Sequence, residues 1–251
     1  MCVFRDAIAI GICKYELPNN VVLSQQTSNR TNSMDNMIDY KKILNKIKSL
    51  NDFLEDFPQA RLLIVTKGQN IDVTNFLLSH AFNEFGENKI QDIKNKFAHI
   101  KNLFIHFIGR IQTNKISDIV TYCHNIQSLD RLNVAEQFSY AEKKINIQRE
   151  YFIQMNLAKE PQKGGVFEED LENFLIDTKE NLKLNVKGLM LIPPQNEDPT
   201  PYFRRLKLLA DRYELKELSM GMSHDYKIAL NEGATIIRIG SYIFRDDPFY
   251  L

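Results

Sequence analysis

RLLIVTKGQNIDVTNFLLSHAFNEFGEN, residues 61–88, reads as one complete strand–helix–strand unit. Its first run, LLIVT at 62–66, is almost wholly apolar, as expected for a strand covered on both faces in a parallel sheet. Helical periodicity takes over near 72–80, and a second short run follows at 81–85, with Gly68 and Gly86 at the joints. Lys67 stands where the first run stops. An ammonium at the mouth of a buried strand either snorkels to water or awaits a partner.

The same alternation continues through the chain. Further apolar runs lie at 103–109, 124–130, 150–157, 185–192, 217–221 and 235–240. Helix candidates fall between them near 87–97, 112–120, 131–145, 168–179, 200–213 and 223–232, and an amphipathic helix at 36–55 precedes the first strand. Gly109, Gly164-Gly165, Pro193-Pro194, Gly221 and Gly240 punctuate the joints. Eight strands alternating with helices predict a single (β/α)8 barrel of the TIM type over 34–251. The rival is an open doubly wound sheet. It usually carries a glycine-rich first turn, and VTKGQN is not GxGxxG.

Composition narrows the function. Thirty-two basic residues balance thirty-two acidic ones, so neither a general nucleic-acid role nor an anionic membrane surface is supported. No apolar run is long enough to span a bilayer. The three cysteines, Cys2, Cys13 and Cys123, are far apart with no CxxC, which argues against a disulfide framework or zinc and for a reducing, cytoplasmic setting. Residues 1–33 read as a disordered extension or as the product of a misplaced start, with Met34 or Met37 as the true one. NRT at 29–31 fits a glycosylation site, which would matter only in a secreted protein.

In a barrel the chemistry sits at the C-terminal ends of the strands. Those ends carry Lys67, Gly86 to Asn88, His106, Gly109, Ser128, Asn156, Met190, Ser219 to Ser223, and Arg238 to Ser241. They hold no cluster of metal-ligand spacing, no GxSxG elbow and no P-loop. LSMGMSHD and RIGSYIF follow strands seven and eight, where barrels commonly build phosphate sites. Ser219, Gly221, Ser223, Gly240 and Ser241 would supply hydroxyls and close backbone approach, and Ser223 or Asp225 would cap the next helix. The plainer alternative is ordinary caps and a turn. Taken together, these loops and Lys67 are expected to face each other across the barrel mouth and to admit a phosphorylated aldehyde. Burial would make the lysine amine nucleophilic. Pyridoxal 5′-phosphate (PLP) is the cofactor that uses such a lysine with a phosphate cup. Arg238 could then reach the pyridine nitrogen, where a permanent cation disfavours protonation of the ring.

The chain resembles the pyridoxal phosphate homeostasis proteins, the YggS/PROSC family, from about residue 36 to 245. The motifs are VTK at 65–67, FGENKIQD at 85–92, HFIGRIQTNK at 106–115, SLDR at 128–131, QMNLAKEPQKGG at 154–165, GLMLIPP at 188–194 and LSMGMSHDYKIALNEGATIIRIGSYIF at 218–244. The resemblance implies a barrel like the N-terminal domain of alanine racemase (fold-type III). It also implies PLP bound through Lys67, the phosphate on Ser219, Gly240 and Ser241, Arg238 at the ring nitrogen, Asn88 lining the ring pocket, and Lys163 as a second lysine in cofactor handling; Ser223 is a candidate from the loop reading alone. Lys163 reads more plainly as a solvated loop lysine. Thr66 and Ser241 stand where the family usually has Ser and Thr, Gly68-Gln69 is expected to loosen the turn after the lysine, and the tail lacks a usual glycine after Phe244.

The implied function is a PLP carrier or buffer in vitamin B6 homeostasis, with no established catalytic residue and no metal. It would be a monomer or weak dimer, with apo-enzymes as recipients of the cofactor. No second domain is expected after Gly240 to supply the tyrosine base that related racemases use. Two alternatives stand beside this reading: a fold-type III racemase or decarboxylase acting on amino acids, and a cofactor-free aldolase using Lys67 on a sugar phosphate.

Overall fold

The computed structural model describes residues 38–246. The expectations for 1–33, for Cys2 and Cys13, for NRT and for the last residues of the tail lie outside them. Among the described residues, eight parallel strands close into one barrel in sequence order: β1 (Arg61–Val65), β2 (Glu84–Glu87), β3 (Phe104–Phe107), β4 (Asn125–Leu129), β5 (Glu150–Met155), β6 (Asn185–Leu191), β7 (Glu217–Ser219) and β8 (Ile236–Ile239). The helices are α1 (Tyr40–Leu54), α2 (Ile71–Ser79), α3 (Ile90–Phe97), α4 (Ile116–Tyr122), α5 (Leu132–Ile145), α6 (Leu171–Leu175), α7 (Thr200–Arg212), α8 (Tyr226–Asn231) and α9 (Ser241–Phe244). None of the described helices is long and apolar enough to cross a membrane.

Local chemistry sets several of these bounds. Asp39 Oδ1 accepts from the Lys42 amide at 2.9 Å and starts α1; Asn70 Oδ1 does the same for α2 through Val73 at 3.0 Å. Asn146, in the left-handed region at φ 53°, stops α5. The stretch read as one helix at 168–179 is three pieces: a 3-10 turn at 168–170, α6, and a π-helical turn at 176–181.

Side-chain parity sorts lumen from exterior. Leu63 packs with Phe152, Met190 and Ile236, which come from β5, β6 and β8, so these four fill the lumen. All are essentially buried, and truncating Phe152 to alanine would cost about 3–5 kcal/mol. On β2 the alternation places Gly86 against Leu63 and Val65 inside. Phe85 stacks on Phe97 of α3 outside, with ring centroids 5.4 Å apart.

β1 pairs with β8 as well as with β2: Ile64 lies opposite Ile239, and Val65 opposite Gly86. The loops after β7 and β8 therefore adjoin the end of β1. The expectation that they face Lys67 across the mouth is corrected: closing the barrel makes strands one and eight neighbours.

Candidate functional site

Lys67 lies two residues beyond β1, in a four-residue turn and not on the strand. The Gln69 amide donates to the Thr66 carbonyl at 3.1 Å, and Gly68 has φ +74°. A left-handed residue at the third position is what such a turn requires, and glycine adopts it without steric cost. Gly68-Gln69 thus defines the turn and does not loosen it. The Lys67 side chain is exposed, so the burial expected to activate it is absent here.

Thr66 anchors this turn. Its amide donates to the Gly86 carbonyl at 3.1 Å, and its hydroxyl donates to Glu87 Oε1 at 2.8 Å. Lys96, from α3, donates to the Thr66 carbonyl and to Glu87 Oε1, both at 2.8 Å. Glu87 is fully buried. Neither Glu87 nor Lys96 stood out in the sequence reading. A lysine on the apolar stripe of Ile90, Ile93 and Phe97 was the available signal.

The loops after β7 and β8 meet as expected. Ser241 Oγ donates to Ser223 Oγ at 3.0 Å, and the Tyr242 amide donates to the same oxygen at 3.1 Å. Gly240 runs flush against β1: a Cβ there would stand 2.9 Å from the Val65 carbonyl oxygen. Asp225 takes the N-cap position of α8, as one of the two expected candidates, but its side chain makes no cap hydrogen bond. Ser223 is turned to the β8 loop, and Asp225 turns back to accept from the Met222 amide at 2.6 Å, fixing the loop. Burial raises the Asp225 carboxyl above its usual range, with that amide and the Arg238 charge opposing.

Ser219 belongs to a different layer. It is fully buried; its hydroxyl accepts from Arg238 Nη1 at 2.7 Å and donates to Gln127 Oε1 at 2.6 Å. Both its roles are taken by protein, so it sits beneath Arg238 and apart from the Ser223–Ser241 pair. Gln127 Nε2 approaches His106 Nδ1 at 2.9 Å, and His106 Nε2 approaches Glu84 Oε1 at 2.7 Å. Reading the chain in one direction puts the His106 proton on Nε2 and leaves every donor an acceptor. The Gln127–Ser219 bond joins β4 to β7, so this chain crosses the lumen. Arg238 Nη2 donates to the Leu191 carbonyl at 2.9 Å. Complete burial pushes its pKa down to about 10, with Asp225 opposing; it remains a cation at neutral pH.

Asn88 follows β2 on the lumen-side parity and is half-buried. Its carbonyl lies against Gly109, where a Cβ would come within 2.0 Å of it. Lys163 is also half-buried, paired with Glu160 at 2.5 Å and donating to the Pro193 carbonyl at 3.1 Å. It lines a pocket of about 130 Å³ with Asn156, Leu191 and Tyr202, so the solvated-loop reading does not describe it. Asn156 folds that loop back: its side-chain amide donates to the Glu160 and Lys163 carbonyls at 2.9 and 3.2 Å. Among the described residues, no group of three or more His, Cys, Asp or Glu side chains could hold a metal.

The alanine racemase N-terminal domain family matches residues 38–248. A pyridoxal phosphate homeostasis protein of Aquifex aeolicus is 39% identical over 201 residues, covering 76% of this chain and 88% of the relative. The chain belongs to the pyridoxal phosphate homeostasis family. A member from Helicobacter pylori is 30% identical across 84% of this chain and all of its own length. PipY of Synechococcus elongatus, solved with PLP bound, superposes with a TM-score of 0.73 at 26% identity, covering 80% of this chain and 99% of PipY. An alanine racemase of Clostridium difficile shares the fold, with a TM-score of 0.69 at 12% identity, over 84% of this chain and 57% of the racemase.

Proposed function

We propose that this family member binds pyridoxal 5′-phosphate through Lys67 and carries or buffers it, without turning over an amino acid. The observation that carries the reading is the adjacency built by the β1–β8 pairing. It sets an exposed amine on a defined turn beside two loops joined by a Ser223–Ser241 hydroxyl pair. PLP supplies an aldehyde that an amine can capture covalently, together with a dianionic phosphate.

The residues present fit that group. Ser223, Ser241 and the backbone at Gly240 hold the phosphate, and the close pass of Gly240 over Val65 excludes any side chain from that corner. Arg238 faces the ring nitrogen, held from beneath by Ser219 and the Leu191 carbonyl. Asn88 lines the ring pocket. Lys163 and its pocket serve cofactor handling next to the main site. Ser219, expected at the phosphate, is assigned instead to holding Arg238.

The non-catalytic part of the reading rests on Arg238. A cation at the ring nitrogen disfavours its protonation, so the ring withdraws electrons weakly. Apo-enzymes as recipients, a monomer or weak dimer, and a cytoplasmic location complete the proposal.

Borohydride reduction of the PLP-loaded protein, followed by intact mass and peptide mapping, tests it. One adduct mapped to Lys67 and lost in Lys67→Ala is expected; an adduct at another lysine, or none, overturns the assignment. Exchange of an amino acid α-proton in deuterated buffer at enzymatic rates would favour the racemase reading.

A further inference from the structure

We infer that Lys96 and Glu87 are positioning residues for Lys67, acting through Thr66 from the outer side of the barrel. The inference rests on the assignment of Lys67 as the capturing amine.

Stability does not account for the pair. Desolvating two charges costs more than their attraction returns unless every remaining lone pair is satisfied. Here Glu87 Oε2 is buried and has no hydrogen-bond partner. The same strand and helix already meet through an apolar contact, the Phe85–Phe97 stack, so an apolar pair would suit the interface. What the ion pair provides is direction. Lys96 Nζ holds the carbonyl of the peptide that leads into Lys67, and Glu87 holds both that ammonium and the Thr66 hydroxyl.

Thr66 is thereby tied at three points: amide to β2, hydroxyl to Glu87, carbonyl to α3 and to the closing turn. Fixing the plane of this peptide fixes the direction in which the Lys67 side chain departs. An exposed, long-chain amine has many rotamers, and confining its root is the means this fold has of presenting it to an aldehyde held by the neighbouring loops. Small displacements of a reacting group are expensive in rate. The clasp touches neither the Ser223–Ser241 pair nor Arg238, so it should act on capture and leave phosphate binding alone.

The test uses the full chain and its double variant Glu87→Leu/Lys96→Met, in which apolar groups replace the charges together, alongside Thr66→Val and Thr66→Ser. Three quantities are measured: the rate of borohydride-trappable PLP adduct at Lys67, the affinity for pyridoxine 5′-phosphate (which has the phosphate and no aldehyde), and the melting temperature. The double variant is expected to keep the parent's melting temperature and pyridoxine phosphate affinity while capture slows about tenfold or more. Thr66→Val should slow capture in the same sense, and Thr66→Ser should match the parent. Capture at the parent's rate in a folded double variant overturns the inference, as does parallel loss of capture and phosphate affinity. Should the double variant not fold, Thr66→Val decides alone: capture at the parent's rate overturns it. A parent chain that forms no adduct at Lys67 overturns the functional reading, and this inference with it.

Discussion

Arg238 Nη1 and Ser219 Oγ stand 2.7 Å apart in the closed interior of the barrel, and this bond divides the serines of the β7–β8 loops into two sets. Ser219 bonds the arginine; Ser223 and Ser241 bond each other where the two loops meet. Replacing Ser219 by alanine removes the acceptor of a buried guanidinium N–H and the donor to Gln127. Leaving such groups unpaired costs about 1–3 kcal/mol. Ser219→Ala should therefore lower the unfolding free energy by that amount, measured in urea, with the affinity for pyridoxine phosphate unchanged. A fall in that affinity with no loss of stability would put the hydroxyl back at the phosphate.

Gln127 extends the argument to the far wall. Gln127→Leu keeps much of the volume but cuts the chain between His106 and Ser219. Arg238 then loses the partner that orients its own partner. The absorption maximum of the PLP-loaded protein should shift relative to the parent, because the cation proposed to face the ring is displaced, while capture at Lys67 persists. An unchanged spectrum would show that Ser219 and the Leu191 carbonyl hold Arg238 unaided.

Much of this was legible in the sequence, and what was not has identifiable physical causes. The strand–helix rhythm carried the barrel because parallel strands are buried on both faces. The motif loops pointed to Ser223, Gly240 and Ser241, which the structure brings together where the loops after β7 and β8 meet. The partners of those residues were not legible. Nothing local says that the Ser219 hydroxyl is spent on Arg238, or that Glu87 meets Lys96 on another element. The neighbourhood of β1 and β8 appears only when the sheet closes. The π-helical turn at 176–181 carries no period distinct from an α-helix over so short a span.

Gly109→Ala tests how tightly the Asn88 corner is built. The added methyl would lie 2.0 Å from the Asn88 carbonyl oxygen, a backbone atom that cannot swing aside. Overpacking of this kind typically costs about 1–3 kcal/mol, occasionally more. The variant should melt lower and bind PLP more weakly, since the displaced residue lines the proposed ring pocket. A melting temperature equal to the parent's would mean that the β2 and β3 loops separate freely.

Cys123 is fully buried, and burial raises its thiol pKa well above the ordinary value, with the Arg149 charge a smaller opposing influence. The thiolate is the reactive form, so iodoacetamide should leave the Cys123 peptide unmodified in the native protein and label it on unfolding. Labelling of that peptide under native conditions would reveal opening around β4.

Acid should weaken the floor of the lumen. Burial tends to raise the Glu84 carboxyl, but its hydrogen bond to His106 and the nearby Arg61 charge help to outweigh it, and the net pKa lies below the ordinary 4.5. A carboxyl depressed in the folded state binds fewer protons there than in the unfolded chain. Its contribution to stability is thus complete above about pH 4.5 and is lost as the pH falls through the lower folded value. Glu84→Gln removes this source of pH dependence. Urea titrations between neutral pH and pH 3 should show the parent losing stability more steeply than the variant over the acid end of that range. Parallel curves would place the acid sensitivity elsewhere, and Glu84 would then be a spacer for His106 and not the charged end of the lumen chain.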